Sequence, residues 1–445
     1  MIRSLPIVLA VLLAAGCTAT GDEGGGDTGT GGTGPITFAT GRDTTAYLQP
    51  LLDRWNQAHP AEKVTLLELP EAADEQRAQM VANLQARSNR YDVLGLDVVW
   101  TAEFAENGWI IPLERGLFPL DRLLPSVVDT AVYKNKLWAV PYTSNAGLLY
   151  YRTDLINKLL SDPTQKATYE KISKKVVGQT LEPKKPADWN WNDYIATAAF
   201  FSKKYNSASP TKYGTALQAK NLVYNTMIWD DVLWSFGGNW LDSSGKPDLE
   251  SKAAKSAMEV YNKIYTAGLT SPDSSQAEFP ETQAALTSGN AAFAVQWSAG
   301  YADLNNPAKS PATAGKIGVA PVPGDQHKTH VHALAVAINK YGKNQKAATK
   351  WLTYLGTSGA MTDYAKSGGI PAMPSVLTAQ SKVNPIYRYV VRDLPTDGFA
   401  EPALPKSFDI STMLAQELSG AWVGQKSIDS ALKKANSDLA GLAGQ

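Results

Sequence analysis

The sequence predicts an α/β protein of two lobes, each a mainly parallel sheet flanked by helices, with a cleft and a hinge between them. Three observations carry this. From residue 35 onward, apolar runs of strand length alternate with segments of helical period. The chain has 445 residues, and single cores stop growing at roughly 250–300. Strand-like segments also return near residues 147, 291 and 333 after a long helical stretch, so the chain passes between lobes more than once, as a hinge requires.

Residues 1–16 carry one positive charge, Arg3, then an apolar run ending in the small residues Ala14, Ala15 and Gly16 before Cys17. This reads as a signal peptide, because the apolar run is shorter than the roughly 20 residues needed to span a bilayer. The small residues before Cys17 are similar to a lipobox, with Ala14 where leucine is usual, so Cys17 is expected to carry lipid after cleavage. An ordinary secretory signal followed by a stray cysteine is the plain alternative. Cys17 is the only cysteine, which excludes a disulfide framework or a cysteine-based metal site. Residues 17–34 then form an expected tether, with eight glycines between 21 and 34 and no apolar side chain to bury there. Its reach is on the order of 25 Å.

The body begins with a strand at 36–40, a helix carrying Leu48, Leu51, Leu52 and Trp55 on one face, and a second strand at 64–69. A helix from about 73 to 88 places Met80, Val81 and Leu84 together, and a third strand at 91–97 ends in Asp97. A βαβαβ run favours a parallel sheet, whose ligands sit at the carboxyl ends of strands, where Asp97 and Trp100 fall. A hairpin between 133 and 142 precedes a strand at 147–151, so 35–150 is read as the first part of lobe 1. Residues 151–290 are mostly helical by period, with segments at 191–204, 224–236 and 253–267, and are read as lobe 2. Residues 291–340 supply returning strands and hinge segments, and 341–445 supply helices packed on both lobes.

Charge excludes several partners. There are 42 basic and 42 acidic residues, a balance that argues against nucleic acid or a polybasic membrane contact. No glycine-rich phosphate loop, dinucleotide fingerprint or Gly-x-Ser-x-Gly elbow occurs. Ser243-Ser-Gly-Lys246 lies in a turn-rich stretch and reads as a surface turn. His327, His330 and His332 form the only cluster with metal-ligand character, but a closed zinc site wants a fourth ligand. No metal and no cofactor are expected, and His332 reads equally as a polar residue near the cleft or as surface.

Aromatic rings are more informative. The chain has 12 Trp and 19 Tyr, and their flat faces stack on the C–H faces of sugar rings. Most are core. Trp100, Trp297 and Tyr301 stand apart because each follows a strand end beside polar neighbours. Asp97 and Glu281 could accept hydrogen bonds from sugar hydroxyls, or serve as the carboxylate pair of a secreted glycosidase; helix capping is the plain reading of Glu281.

Longer stretches resemble a known family. The markers are Asp97-Val-Val-Trp100 continuing to Gly108-Trp109, Trp138-Ala-Val-Pro141-Tyr-Thr-Ser-Asn145 followed by Leu149-Tyr-Tyr-Arg152, Phe236-Gly-Gly238, Ala285 to Phe293 with Trp297, Val319 to Gly324, and Ser367-Gly-Gly369-Ile-Pro371. Together they resemble the extracellular solute-binding proteins of ABC sugar importers, of maltose- and trehalose-binding type, over nearly all of 35–440. The resemblance implies a periplasmic-binding-protein-like fold closing on an α-linked disaccharide or oligosaccharide without catalysis. It also implies delivery to permease subunits in the membrane by a lipid-anchored, extracytoplasmic monomer. Carried over by position, Asp97 and Asn145 bond the sugar from one lobe, Glu281 and Trp297 close from the other, and Gly368 and Gly369 line the cleft by their backbone. Arg42, Tyr224 and Tyr301, with Trp100, are placed there by position alone. Many relatives have an arginine and an aromatic in a proline-rich segment near the C-terminus; here that stretch is Glu401-Pro-Ala403-Leu-Pro-Lys406-Ser-Phe408. A sensing or adhesive lipoprotein would share the same pattern.

Overall fold

Strands buried along their whole length, Val93–Leu96, Ala291–Trp297 and Ala335–Ile338, lie inside the sheets, with half-exposed strands such as Val64–Leu69 at the edge. The computed structural model describes residues 31–42, 46–70 and 72–443. In chain order the described strands are β1 (Ile36–Gly41), β2 (Val64–Leu69), β3 (Val93–Leu96), β4 (Val132–Tyr133), β5 (Lys136–Leu137), β6 (Val140–Pro141), β7 (Asn145–Arg152), β8 (Tyr213–Thr215), β9 (Ala291–Trp297), β10 (Ile317–Ala320), β11 (Thr329–His332), β12 (Ala335–Ile338) and β13 (Gly398–Phe399). They form two larger sheets and the small β4–β5 hairpin.

The first sheet has the order β2-β1-β3-β12-β6. β1 pairs in parallel with β2 and β3, as the βαβαβ pattern predicts, and β12 returns antiparallel to β3. The second sheet runs β13-β11-β7-β9-β8, with β10 also on β7. It is mixed rather than mainly parallel. β7 lies antiparallel to β9, β10 and β11, because those strands come back after the chain has entered the lobe through β7. The sheets are the cores of two lobes, so the fold is that of a two-lobed periplasmic-binding-type protein.

The crossing into the second lobe falls at 142–144, a few residues before the expected boundary at 150, because all of β7 belongs to the second sheet. The return crossing lies beside it between β11 and β12. The two are bonded together: Tyr142 N–H donates to Leu334 O at 3.1 Å, and Leu334 N–H donates to Thr143 Oγ1 at 2.8 Å. Ser144 N–H also reaches Ile370 O at 2.9 Å, tying the crossings to the Gly368–Gly369 turn. Near the C-terminus, helix Gln345–Leu355 packs on β12, whereas helix Ser407–Trp422 packs on Val223–Ser235 and Lys252–Thr266 of the second lobe.

Of the expected tether, residues 31–34 lie against the 343–345 turn. Gly32 N–H donates to Lys343 O at 2.6 Å, and Asn344 Nδ2 donates to Pro35 O at 2.7 Å. The rest of the tether, the signal peptide and Cys17 fall outside the described residues. Among the described residues no helix is long and apolar enough to cross a membrane.

β3 carries Asp97 at its carboxyl end, and Asp92 fixes it at the other. Asp92 Oδ2 accepts from Thr37 N–H of β1 at 3.0 Å, and Oδ1 accepts from Asn344 N–H at 3.3 Å. Removing a buried acceptor strands both donors. Asp92→Ala is therefore expected to cost about 1–3 kcal/mol in urea denaturation; a loss within experimental error would show that β3 is held by its apolar faces alone.

Candidate ligand cleft

Three structural devices bring the site together. β3 stops at Leu96, so Asp97 turns out of the sheet at its carboxyl end, and the following short turn at Val98–Trp100 swings the indole into the same space. Helix Val223–Ser235 of the second lobe points its first turn, and Tyr224, at Asp97. β11 alternates His330, Val331 and His332, and the edge position beside Asn145 of β7 presents His332 to the same carboxylate.

Asp97 is the centre of the arrangement. Its side chain is 2% exposed, and its Oδ2 accepts from Tyr224 Oη–H at 3.0 Å and from His332 Nε2–H at 2.9 Å. Oδ1 is buried and has no partner among the described residues. Burial pushes the Asp97 carboxyl up, but the facing His332 imidazole and the two hydrogen bonds outweigh it and hold the group below the ordinary carboxylate value. His332 moves the opposite way. Burial pushes it down, the Asp97 carboxylate more than compensates, and the imidazole holds its proton above the ordinary range. Burial, then the Asp97 charge, raises the Tyr224 phenol well above its ordinary value, so it stays a donor.

Around this node lies a cavity of about 230 Å³ between the lobes. Asp97, Trp100, Asn145, Tyr224, Gly368, Gly369 and Arg42 all line it, which gathers seven of the sequence candidates in one place. Asn145 Oδ1 accepts from Ser298 Oγ at 3.3 Å. Trp100 is stacked on Phe104, and its Nε1 is a second buried group without a partner among the described residues. Gly368 has φ +109° and Tyr47 3 Å from where a Cβ would stand, and a Cβ on Gly369 would strike the Tyr364 ring at 2.4 Å. Only glycine lets this turn approach the aromatic wall. Arg42, exposed, sits at the rim.

Three candidates stand elsewhere. Glu281 is a helix cap: its Oε2 accepts from Glu278 N–H at 3.0 Å, the local bond that its position in helix Phe279–Thr287 favours. It does not face Asp97 across the cavity, and so makes no carboxylate pair with it. Trp297 backs His332 at 5.0 Å between ring centroids and His330 at 5.5 Å, behind the lining. Tyr301 stacks on the buried Tyr150 at 6.2 Å. The three histidines also part company: His327 Nδ1 meets Val322 O, His330 Nε2 meets Glu401 Oε2 at 2.7 Å, and His332 meets Asp97. No trio of metal-ligating side chains is grouped among the described residues.

His332, read from sequence as either a cleft residue or surface, also lines the cavity, and Tyr47, Tyr142, Thr143, Leu334 and Tyr364 join the lining without having been singled out as ligand contacts from sequence. Tyr142 and Thr143 lie inside the Trp138–Asn145 marker run, a signal that was present; Tyr47, in the turn before helix Gln49–Ala58, and Tyr364, on helix Ser358–Ser367, carried none. A larger groove of about 410 Å³ lies on the outer helices of the second lobe, against Trp191, Phe236 and Val260, away from this chemistry.

The lobes also meet beside the cleft. Arg77 of helix Ala73–Gln85 bonds Glu103 and lies 4.3 Å over the Phe408 ring, with Asp409 at 3.9 Å. Burial first, then the charge of Glu278 from the other lobe, raises Asp74 despite Arg77.

A two-lobed α/β chain with a polar, aromatic-walled cleft at its crossings has the architecture of a solute-binding protein. Residues 39–362 match the family described as bacterial extracellular solute-binding protein, and the chain belongs to that family. A probable ABC transporter-binding protein of Deinococcus radiodurans is 28% identical over 298 residues, 66% of this chain and 64% of that relative. A mannitol-binding protein of Pseudomonas aeruginosa is 23% identical, covering 92% of this chain and 93% of the relative. Among solved structures, maltose-bound MalE3 of T. maritima superposes with TM-score 0.78 at 24% identity, covering 92% of this chain and 99% of the other. A D-mannitol-bound protein from Agrobacterium vitis S4 gives 0.72 at 21%, covering 92% and 97%.

Glu281→Ala is expected to lower stability by about 0.5–2 kcal/mol, the range for losing a cap, and to leave the Asp97–Tyr224 contact in place. Denaturation together with a structure of the variant checks both; an altered cleft would return Glu281 to the site.

Proposed function

We propose that this chain is the extracytoplasmic receptor of an ABC importer, binding a neutral, polyhydroxylated solute by closure of its lobes and presenting it to permease subunits. The observation that carries the reading is Asp97 Oδ1, a buried carboxylate oxygen without a donor among the described residues, in a cleft walled by Trp100, Tyr142, Tyr224 and Tyr364. Leaving such an acceptor unsatisfied is costly, and a solute hydroxyl supplies what it lacks. The aromatic walls suit the C–H face of a sugar ring. Binding then favours closure by the difference in affinity between closed and open forms. The family is one of solute-binding proteins rather than enzymes.

The preferred solute is an α-linked disaccharide of trehalose or maltose type, on the sequence resemblance and the maltose-bound neighbour. A second reading, a hexitol-sized polyol, draws on the cavity. Its volume of about 230 Å³ is below the roughly 300–1,000 Å³ of pockets for drug-sized ligands, and two relatives are described with mannitol. Lipid on Cys17 would keep this receptor, as a monomer, at the membrane that holds its permease.

Titration calorimetry of the full chain with trehalose, maltose, maltotriose and mannitol tests the reading. One of these is expected to bind with a Kd of micromolar order, and Asp97→Ala to weaken it by about 2 kcal/mol or more, as for a charged, buried hydrogen bond. A disaccharide in first place supports the preferred solute, and mannitol in first place the second reading. No binding tighter than millimolar by any of them would sink the assignment.

A further inference from the structure

Two carboxylate–imidazole pairs stand side by side beneath the cleft, Asp97 with His332 and Glu401 with His330, and Trp297 packs on both rings. They differ in access. The His330 side chain is fully buried, whereas that of His332 is 14% exposed and lines the cavity. Of the two imidazoles, His332 is thus the one that solvent in the cleft reaches.

We propose that His332 is a positioning residue of the ligand site: as a cation it fixes the Asp97 carboxylate in its ionised form, with Oδ2 occupied and Oδ1 turned to the solute, so that its protonation sets the pH range of binding. This rests on the receptor reading above. The geometry supplies the reason. Tyr224 and His332 both donate to Oδ2, which leaves the carboxylate one free oxygen and one orientation. Tyr224 is neutral, so the charge that balances buried Asp97 comes from His332.

The surroundings reinforce this. Asp97 faces His332 from β3, Tyr224 from helix Val223–Ser235 and Glu401 from the segment after β13, while His330 is its neighbour on β11. Asp74 and Glu278 stand behind Tyr224. Asp97 and Glu401 both favour a charged imidazole, and Arg42, the described cation in the cavity lining, stands at its rim.

The pH window follows from the two directions. His332 is raised, so the contribution is complete below the ordinary imidazole value of about 6.5 and is lost as pH climbs through the elevated one. Asp97 is lowered, so it stays ionised down through the ordinary carboxylate range and is protonated only below it. Binding is therefore strongest from mildly acidic to neutral pH and weakens on the alkaline side.

Calorimetry of the full chain with trehalose, maltose and mannitol from about pH 5 to pH 9 reads this, beside a proton-NMR titration of the His332 ring without ligand. For the probe that binds, affinity is expected to fall by up to about tenfold per pH unit above the imidazole midpoint. His332→Gln, which keeps a neutral donor near the Nε2 position, is expected to bind more weakly at pH 6 and to lose that alkaline fall. In Asp97→Asn the His332 ring should titrate at lower pH. His332→Gln retaining the wild-type alkaline fall, or an unchanged His332 midpoint in Asp97→Asn, overturns the proposal. Should none of the probes bind at any pH, the receptor reading fails instead, and the ring titration decides the pair by itself.

Discussion

A carboxylate taken out of water must be met by donors or by a cation, and in the wall of the cleft that requirement falls on Asp97. One oxygen is met from two directions: by Tyr224 from the second lobe and by His332 from the strand that leads back to the first. The other is left without a donor among the described residues. The result is a bond between lobes made by the same group that has capacity left for a solute. On the proposed function, closure and recognition are coupled through one side chain, because whatever satisfies Oδ1 also stabilises the geometry in which Tyr224 reaches Oδ2.

The remainder of the fold serves to bring those groups to one point. β3 is buried on both faces and pinned at its start by Asp92, so its end is a fixed platform. The two crossings between lobes are bonded to each other and to residues 370–372, and they hold Asn145 and His332 at the bottom of the cleft. Gly368 and Gly369 keep the aromatic wall close because no Cβ intervenes. Hinge closure needs change confined to a few backbone residues, and the paired crossings are where the chain passes between the lobes.

Much of this was legible in the sequence because it is local. β1, β2 and β9 are apolar runs with clear ends, and Asp97 is marked by its place at a strand terminus. What was not legible depends on long-range pairing. Asp97 and His332 are 235 positions apart, and nothing in the His327-Lys-Thr-His330-Val-His332 run says that its members go to three separate partners. Glu281 misled for the opposite reason: a glutamate three residues into a helix beside proline satisfies a capping pattern and a binding pattern alike, and the local bond prevails. The parallel character expected of the second lobe failed because strand direction there is set by where the chain re-enters, which periodicity does not encode.

Small-angle scattering of the full chain, with and without a saturating amount of the solute that calorimetry identifies, tests the coupling most directly. Wild-type protein is expected to contract on binding, and Asp97→Ala, at a concentration of solute that still fills its weakened site, to contract less. Equal contraction in both would show that the lobes close by contacts that do not pass through Asp97, and would contradict the account.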